Sequence, residues 1–79
     1  MLKTILMLGA GLEQAIAIKE AKKLGLNVVA CDQDKNALGF KYADVSIVID
    51  ITNIDLVLDV AIQNKVHGIF THAVEIPHI

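Results

Sequence analysis

Short runs of apolar residues recur along the chain between segments of mixed character. Residues Thr4–Leu8 are apolar after the threonine and are followed at once by glycine, which is typical of a strand buried on both faces. Similar runs cover Asn27–Cys31, Val45–Ile49 and Val66–Phe70. The pattern therefore predicts four buried strands.

The segment between the first two strands has helical character. We predict a helix over Leu12–Leu24, with Gly25 as its C-terminal cap. The residues predicted to face the core are Ala17, Ile18, Ala21 and Leu24. Leu12 and Ile16 fall on the side that carries the charged residues, and the fold alone does not account for them.

A second helix is predicted between the third and fourth strands. It is capped by Thr52 or Asn53 and runs to about Lys65. Its apolar stripe, expected to lie on the sheet, consists of Ile54, Val57, Leu58, Ala61 and Ile62. Residues 33–44 are polar and irregular, and Phe40 and Tyr42 are expected to anchor this loop on the sheet edge.

Strands that alternate with helices predict an α/β fold with right-handed crossovers and a parallel sheet. We expect a small, truncated Rossmann-like domain of three layers over residues 1–79, with strand order 3-2-1-4. Ligands of such sheets bind beyond the carboxyl ends of the strands, where the strand order reverses. That switch point lies between the first and fourth strands.

Composition and charge argue against some classes of function. The chain has 79 residues, of which 54% are apolar, so we expect one compact domain with apolar surface left for an interface. Seven basic residues are scattered among nine acidic ones, which argues against nucleic-acid binding. No apolar run approaches the ~18 residues of a membrane span, and we expect a cytoplasmic protein. The single cysteine, Cys31, is expected to be a buried thiol.

The first candidate site is the turn from the first strand into the first helix, which contains Gly9, Ala10, Gly11, Leu12 and Gln14. Gly9 permits a tight turn, Gly11 permits close approach of a ligand, and the helix N–H groups favour an anion. Gln14 replaces the third glycine of G-x-G-x-x-G and crowds the path of a dinucleotide pyrophosphate. The alternative is a tight turn that binds nothing.

Two further candidates lie at the same edge. Asp32 ends the second strand, where an acidic residue either contacts a ribose or another polar ligand or is simply solvated. Glu75, after the fourth strand, is placed to bind an amine. His72, Glu75 and His78 are spaced by three, but Pro77 and the lack of another ligand argue against a metal site. A solvent-exposed loop is the alternative there.

The order and spacing of several short motifs resemble a known family. The motifs are Gly9-x-Gly11-x-x-Gln14, Lys23-Leu24-Gly25, Val29-x-x-Asp32-x-Asp34-x-Asn36-Ala37, Tyr42-Ala43-Asp44 and Val48-Ile49-Asp50. Together they look like the pre-ATP-grasp domain, the N-terminal Rossmann-like domain of the ATP-grasp carboxylate–amine ligases. The resemblance covers nearly the whole chain, although no single motif is specific.

The resemblance implies that ATP and the other substrate contact different domains of the enzyme. ATP and Mg²⁺ would bind in an ATP-grasp domain beyond Ile79, where a carboxylate is phosphorylated and the acyl phosphate is attacked by an amine. The present domain would contact the non-nucleotide substrate through Gly9–Leu12, Gln14 and Glu75. It would carry no catalytic residue, metal or cofactor of its own and would be inactive alone. Leu38 stands where many members have proline, a departure of little consequence.

A second interpretation stays open from the sequence. The chain also fits an NAD(P)- or nucleotide-binding Rossmann module of an oxidoreductase or sensor, which Asp32 favours and Gln14 disfavours. A phospho-acceptor receiver is excluded because Gly9 and Ala10 stand where its acidic pair is needed. The expected partners are a small carboxylate or amine substrate, the later domains of the enzyme, and a second copy. Self-association is expected through strand four or the Leu12–Ile16 face.

Overall fold

The structure is a computed structural model that describes residues 3–71. Its elements, in chain order, are β1 (Thr4–Leu8), α1 (Leu12–Lys23), β2 (Asn27–Asp32), a single 3-10 turn (Leu38–Lys41), β3 (Val45–Val48), α2 (Ile54–Gln63) and β4 (Gly68–Phe70). The predicted elements are all present within a few residues of their expected ends. The 3-10 turn lies in the segment that was expected to be irregular.

All four strands of the described sheet are parallel, in the order β3-β2-β1-β4. Ile5 of β1 pairs with Val28 on one side and with Gly68 on the other. The predicted fold class and strand order are therefore confirmed. β1 and β4 are adjacent, which places the switch point of the topology beside the end of β1.

Alternate residues of the central strands pack into two cores, one on each face of the sheet. Met7 and Val28 face α1 and pack with Ile18. Leu6 and Cys31 face the other side and pack in the α2 core. The strict alternation is what a parallel sheet covered on both faces requires. Burial raises the pKa of the Cys31 thiol to about 11, and the predicted buried thiol is confirmed.

α1 is rotated relative to the predicted helix face. Ala15, Ile18 and Ala21 are its buried residues, whereas Ala17 is exposed and Leu24 is 78% exposed. The prediction for these two residues was wrong. Leu24 is already the C-terminal cap, and the buried row of Ala15, Ile18 and Ala21 leaves Ala17 on the exposed side of the helix. Leu12 and Ile16 are 66% and 58% exposed, as their position among charged residues indicated.

α2 buries a face shifted from the predicted one, because Val60, which the predicted stripe omits, is buried. Its buried residues are Val57, Val60 and Ala61, while the other three members of the predicted stripe are exposed. These exposed residues, called the α2 outer row below, are Ile54 (68%), Leu58 (47%) and Ile62 (72%). Ile62 lies near β4, the short edge strand of the described sheet, and residues 3–71 leave the outer row exposed.

Both helices end in the same hydrogen-bond motif. After α1, Leu26 N–H donates to Ala21 and Gly25 N–H to Lys22; after α2, the corresponding donors are Val66 and Lys65. The residue in the left-handed region is Gly25 (φ 83°) in one case and Lys65 (φ 53°) in the other. Gly25 was predicted, but the non-glycine conformation at Lys65 was not. Asn53 caps the start of α2 by accepting from the Leu56 amide at 3.2 Å.

The connection from β2 to β3 is fixed on the α1 side of the sheet. Phe40 packs against the α1 core, as expected, whereas Tyr42 packs under the Lys19 ammonium, 5.2 Å from its ring centroid. Asp44 accepts from Lys22 Nζ at 2.6 Å and from the Val28 amide at 2.7 Å. Partial burial alone raises the pKa of Asp44, but these hydrogen bonds and the Lys22 charge outweigh it and hold the pKa below its ordinary value.

Candidate functional site

The candidate site lies at the carboxyl ends of the strands, where β1 passes into α1. The connecting residues, Gly9 to Gly11, are called the glycine loop below. Gly9 adopts φ 95°, a conformation that side chains disfavour. Its N–H donates to the Cys31 carbonyl at 2.7 Å, which continues the β1–β2 pairing by one residue. The loop therefore starts from a fixed point of the sheet.

Ala10 is held on both sides by other parts of the chain. It is fully buried, its N–H donates to Asp32 Oδ2 at 2.8 Å, and its carbonyl accepts from the Gly39 N–H at 2.6 Å. Both polar backbone groups of Ala10 are thus engaged within the protein. The set of Ala10, Asp32 and Gly39 is called the Ala10 clamp below.

Asp32 contacts three connections at this edge of the sheet. Its Oδ2 accepts from Ala10 after β1, and its Oδ1 accepts from the Asp34 amide after β2 at 2.9 Å. Its carbonyl accepts from the Ile49 amide after β3 at 3.1 Å. Each carboxylate oxygen already accepts from one amide, and the carboxylate keeps acceptor capacity for a further donor.

Gln14 folds back onto the glycine loop. A Cβ placed on Gly9 would lie 3.4 Å from Gln14 Nε2, and one placed on Gly11 would lie 3.2 Å from Gln14 Oε1. The Gln14 amide therefore occupies the space beside both glycines. In dinucleotide folds a third glycine keeps helix and strand close at this point, so the geometry agrees with the argument that Gln14 disfavours a dinucleotide.

α1 begins beside this loop without a side-chain cap. Gly11 is the N-cap residue and makes no side-chain cap hydrogen bond. The first amides of a helix have no acceptor within it and carry partial positive charge. Leu12, the first helical residue, is 66% exposed. The start of α1 is therefore open to a ligand and is suited to a carboxylate or phosphate oxygen.

The structure brings most of the predicted site residues together. Gly9, Ala10, Gly11 and Gln14 form one local unit, and Asp32 is hydrogen-bonded to it. Sequence reasoning missed the part that Gly39 plays, because a glycine in a polar loop indicates a turn and not a contact with another loop. The close approach of two connections is a property of the folded topology and leaves no periodic signal in the sequence.

The remaining predicted residues of the site lie outside the described residues. They are Glu75 and the spaced set of His72, Glu75 and His78. Among residues 3–71, no group of histidine, cysteine, aspartate or glutamate residues is arranged to hold a metal ion. No helix in the described part of the chain is long and apolar enough to span a membrane.

A shallow, open depression of about 440 Å³ lies elsewhere. It is lined by Ala61, Ile62 and residues 65–69, at the C-terminus of α2 and the beginning of β4. This is the amino end of β4, opposite to the glycine loop. The depression is apolar and belongs to the uncovered edge of the sheet, and we do not place the candidate site there.

Comparison with known proteins finds relatives of one kind. No protein-family model matches the chain. It is 45% identical over 51 residues to a formate-dependent phosphoribosylglycinamide formyltransferase of Prochlorococcus marinus subsp. pastoris, covering 65% of this chain and 13% of the relative. A formyltransferase of the same name from Synechococcus sp. is 39% identical over 64 residues, 80% of this chain and 16% of the relative.

Solved structures agree with these relatives in fold. The ADP complex of an N5-carboxyaminoimidazole ribonucleotide synthetase superposes with a TM-score of 0.80 at 23% identity, covering 98% of this chain and 20% of that chain. The glycinamide-RNase-transformylase T of Mycobacterium tuberculosis superposes with a TM-score of 0.73 at 26% identity, covering 87% and 20%. The chain thus spans about a sixth or less of the curated relatives' length.

Proposed function

The chain is homologous to the N-terminal region of ATP-grasp ligases, and from this premise we propose that it is the substrate-side domain of such a ligase. The complete enzyme would activate a carboxylate as an acyl phosphate for attack by an amine or a related nucleophile. The observation that carries the proposal is the identity of 39–45% to the formyltransferases over most of the chain. The resemblance stated from the motifs alone is confirmed by these relatives.

The geometry of the glycine loop supports a substrate role for this domain. The uncapped start of α1 offers amides to an anionic group, and the Gln14 amide lies beside the loop as a polar contact. Gly9, Ala10, Gly11, Leu12, Gln14 and Glu75 stay the proposed substrate-binding residues. For Ala10 the contact would be through the position of its backbone and methyl group, since its N–H and carbonyl are already engaged.

ATP and Mg²⁺ would bind in other domains of the enzyme. The names of the relatives state dependence on formate and formyl transfer to phosphoribosylglycinamide; for the present protein we propose only a small carboxylate and an amine. The partners would be these substrates and the ATP-grasp domains, in the cytoplasm. The isolated chain would neither ligate substrates nor hydrolyse ATP, and self-association stays a prediction.

A substitution at Gly11 tests the proposal in the complete protein that contains this chain. A valine there would meet Gln14 Oε1, because even a Cβ lies 3.2 Å from that atom, and would cover the start of α1. We expect Gly11→Val to raise KM for the non-nucleotide substrate about tenfold or more and to leave KM for ATP within about twofold. The control is Ala17→Val, an exposed position farther along α1. Equal loss of both affinities would contradict the proposal.

The alternative function is a dinucleotide- or nucleotide-binding Rossmann module. Its main support was Asp32 at the end of β2, and the carboxylate there is engaged by the Ala10 and Asp34 amides. Because Gln14 crowds the path of the pyrophosphate, we expect no tight binding of NAD or NADP to this chain. Calorimetry with both dinucleotides checks this, and binding with a micromolar Kd would favour the alternative over the ligase domain.

A further inference from the structure

We propose that Asp32 and Gly39 are positioning residues that act through Ala10 to fix the glycine loop and to aim the first amides of α1 at the substrate. This inference rests on the proposed function for its consequence, but the clamp itself is a property of residues 3–71. Asp32 is thereby assigned a role other than contact with a ligand.

The N–H and the carbonyl of Ala10 both bind residues between β2 and β3. Asp32, at the end of β2, accepts from the Ala10 N–H. Gly39, in the 3-10 turn that follows, donates to the Ala10 carbonyl. Both partners lie more than twenty residues away in sequence, at a separation of 22 for Asp32. The shape of the glycine loop is therefore set by the β2–β3 connection as well as by the loop's own sequence.

The segment between the two clamp residues is itself rigidly tied. Asp32 Oδ1 accepts from the Asp34 amide, Asp34 Oδ1 accepts from the Asn36 amide, and the Ala37 amide donates to the Asp34 carbonyl at 2.9 Å. These short-range bonds hold the spacing between positions 32 and 39. Because the spacing is fixed, the two contacts on Ala10 act together and not as independent hydrogen bonds.

Gly39 is required for space. A Cβ at this position would lie 2.9 Å from the Ala10 carbonyl oxygen and 3.1 Å from Ile18 Cδ1, and it would also meet Ala10 Cα at 3.2 Å. Two of these atoms belong to the backbone of the glycine loop, so they can yield only if the loop moves. Gly39→Ala should therefore displace the Ala10 backbone by steric contact, without removing any side chain.

Ala10 is followed at once by Gly11, the N-cap of α1. A shift of Ala10 is passed to Gly11 and to the first turn, where the amides open toward the ligand site. Misplacement of a positioned group by about 1 Å can cost about a hundredfold in rate, so a shift of this turn should also weaken its contact with substrate. The clamp therefore controls substrate affinity without touching substrate.

Amide hydrogen exchange in the 79-residue chain tests the clamp by itself. Asp32→Asn keeps the shape but loses the charge and one of the two acceptors, and Gly39→Ala pushes on the carbonyl. We expect each to speed exchange at the Ala10 amide about tenfold or more, with Met7 in β1 unchanged. The matched controls are Asp50→Asn, which makes the same change in a similar turn, where Asp50 accepts from the Thr52 amide without contact to Ala10, and Leu38→Ala beside Gly39. Equal acceleration at Ala10 and Met7, or none at Ala10, overturns the clamp.

Steady-state kinetics in the complete protein test the positioning role. Both variants are expected to raise KM for the non-nucleotide substrate about tenfold, with KM for ATP within about twofold, while both controls match the wild type. A rise with Asp32→Asn but not with Gly39→Ala means that Asp32 touches the ligand, and overturns the positioning role. An unchanged substrate KM in both variants overturns it too. If the wild-type protein shows no ATP-dependent ligation, the proposed function is overturned instead. The hydrogen-exchange rates then still show whether Asp32 and Gly39 hold Ala10 in place.

Discussion

The core beneath α1, called the closed half below, and the α2 outer row with β4, called the open half, differ in how far the described chain covers their apolar residues. On the α1 side, Ile18 of α1 is fully buried, and Phe40 of the β2–β3 connection packs against the same core. On the α2 side, Ile62 is 72% exposed and Ile69 of the edge strand is 45% exposed. The closed half carries the glycine loop, and the open half carries an uncovered apolar edge.

The difference supports the proposed roles, a ligand site in the closed half and an interface in the open half. A loop that must present backbone amides accurately needs a rigid support, and the Ala10 clamp supplies it in the closed half. Exposed apolar side chains that form a continuous row are typical of an interface. The α2 outer row and β4 have this character, and four experiments sharpen the contrast between the two halves.

The largest expected effect comes from truncating one isoleucine in each half. Ile18→Ala removes buried methyl groups from the closed core and should lower the free energy of unfolding by about 2–5 kcal/mol. Ile62→Ala, the matched change in the α2 outer row, should alter it by less than about 0.5 kcal/mol. Urea unfolding of the chain measures both. Similar losses in the two variants would mean that the halves do not differ in the way described.

The next effect concerns the polar network that holds the closed half. Asp44→Asn weakens the bonds from Lys22 and from the Val28 amide and should cost about 1–2 kcal/mol. Because the folded-state pKa of Asp44 lies below the unfolded value of about 3.9, its contribution is present above that pH and is lost as pH falls through the folded pKa. Unfolding measured from pH 7 downward should show a shallower acid loss in the variant. An unchanged pH profile would show that the network contributes nothing.

A smaller effect separates the two helix ends. Lys65 adopts φ 53° where α1 uses Gly25, so Lys65→Gly should relieve strain and stabilise the chain by up to about 1 kcal/mol. Gly25→Ala should destabilise it by about 1 kcal/mol, although a Cβ there meets no atom within 4 Å. Thermal unfolding of the two variants checks the opposite signs. If both variants lost stability, the Lys65 side chain would contribute more to stability than its strained backbone costs.

The smallest effect on folding, but a direct one on association, is expected from charge on the open half. Ile62→Lys should leave the free energy of unfolding nearly unchanged and should reduce self-association through the β4 edge. Ile16→Lys tests the exposed α1 face in the same way. Sedimentation at micromolar concentration measures the result. A wild-type chain that is monomeric at this concentration would contradict the prediction of self-association at either surface.

The hydrophobic pattern, together with glycine and capping residues, was sufficient for the strands and helices, and the rule of right-handed crossovers predicted the strand order. Continuous apolar runs such as Thr4–Leu8 identify buried parallel strands, and Gly25 marks the end of α1 with the motif that glycine favours. The faces of the helices were predicted less well. The pattern counts Ile54 and Ile62 as core residues because they are apolar, but whether they are buried depends on how far the sheet extends beneath them.

The candidate site was predictable in its residues but not in its contacts. The glycine loop and Asp32 were identified because their positions relative to strand ends are local in sequence. That Asp32 binds the Ala10 amide, and that Gly39 approaches the Ala10 carbonyl, follows from the packing of two connections that are distant in sequence. The Lys65 conformation was missed for a different reason, since a lysine carries no signal for the left-handed region.

The most direct test of the central claim is the nucleotide stoichiometry of the complete protein that contains this chain. If this chain serves as the substrate-side domain of an ATP-grasp ligase, ADP and phosphate should appear at enzymatic rates only when a carboxylate and an amine are both present. One ATP should be consumed for each bond formed. Release of AMP and pyrophosphate, or bond formation with a nicotinamide cofactor and no ATP, would contradict the account.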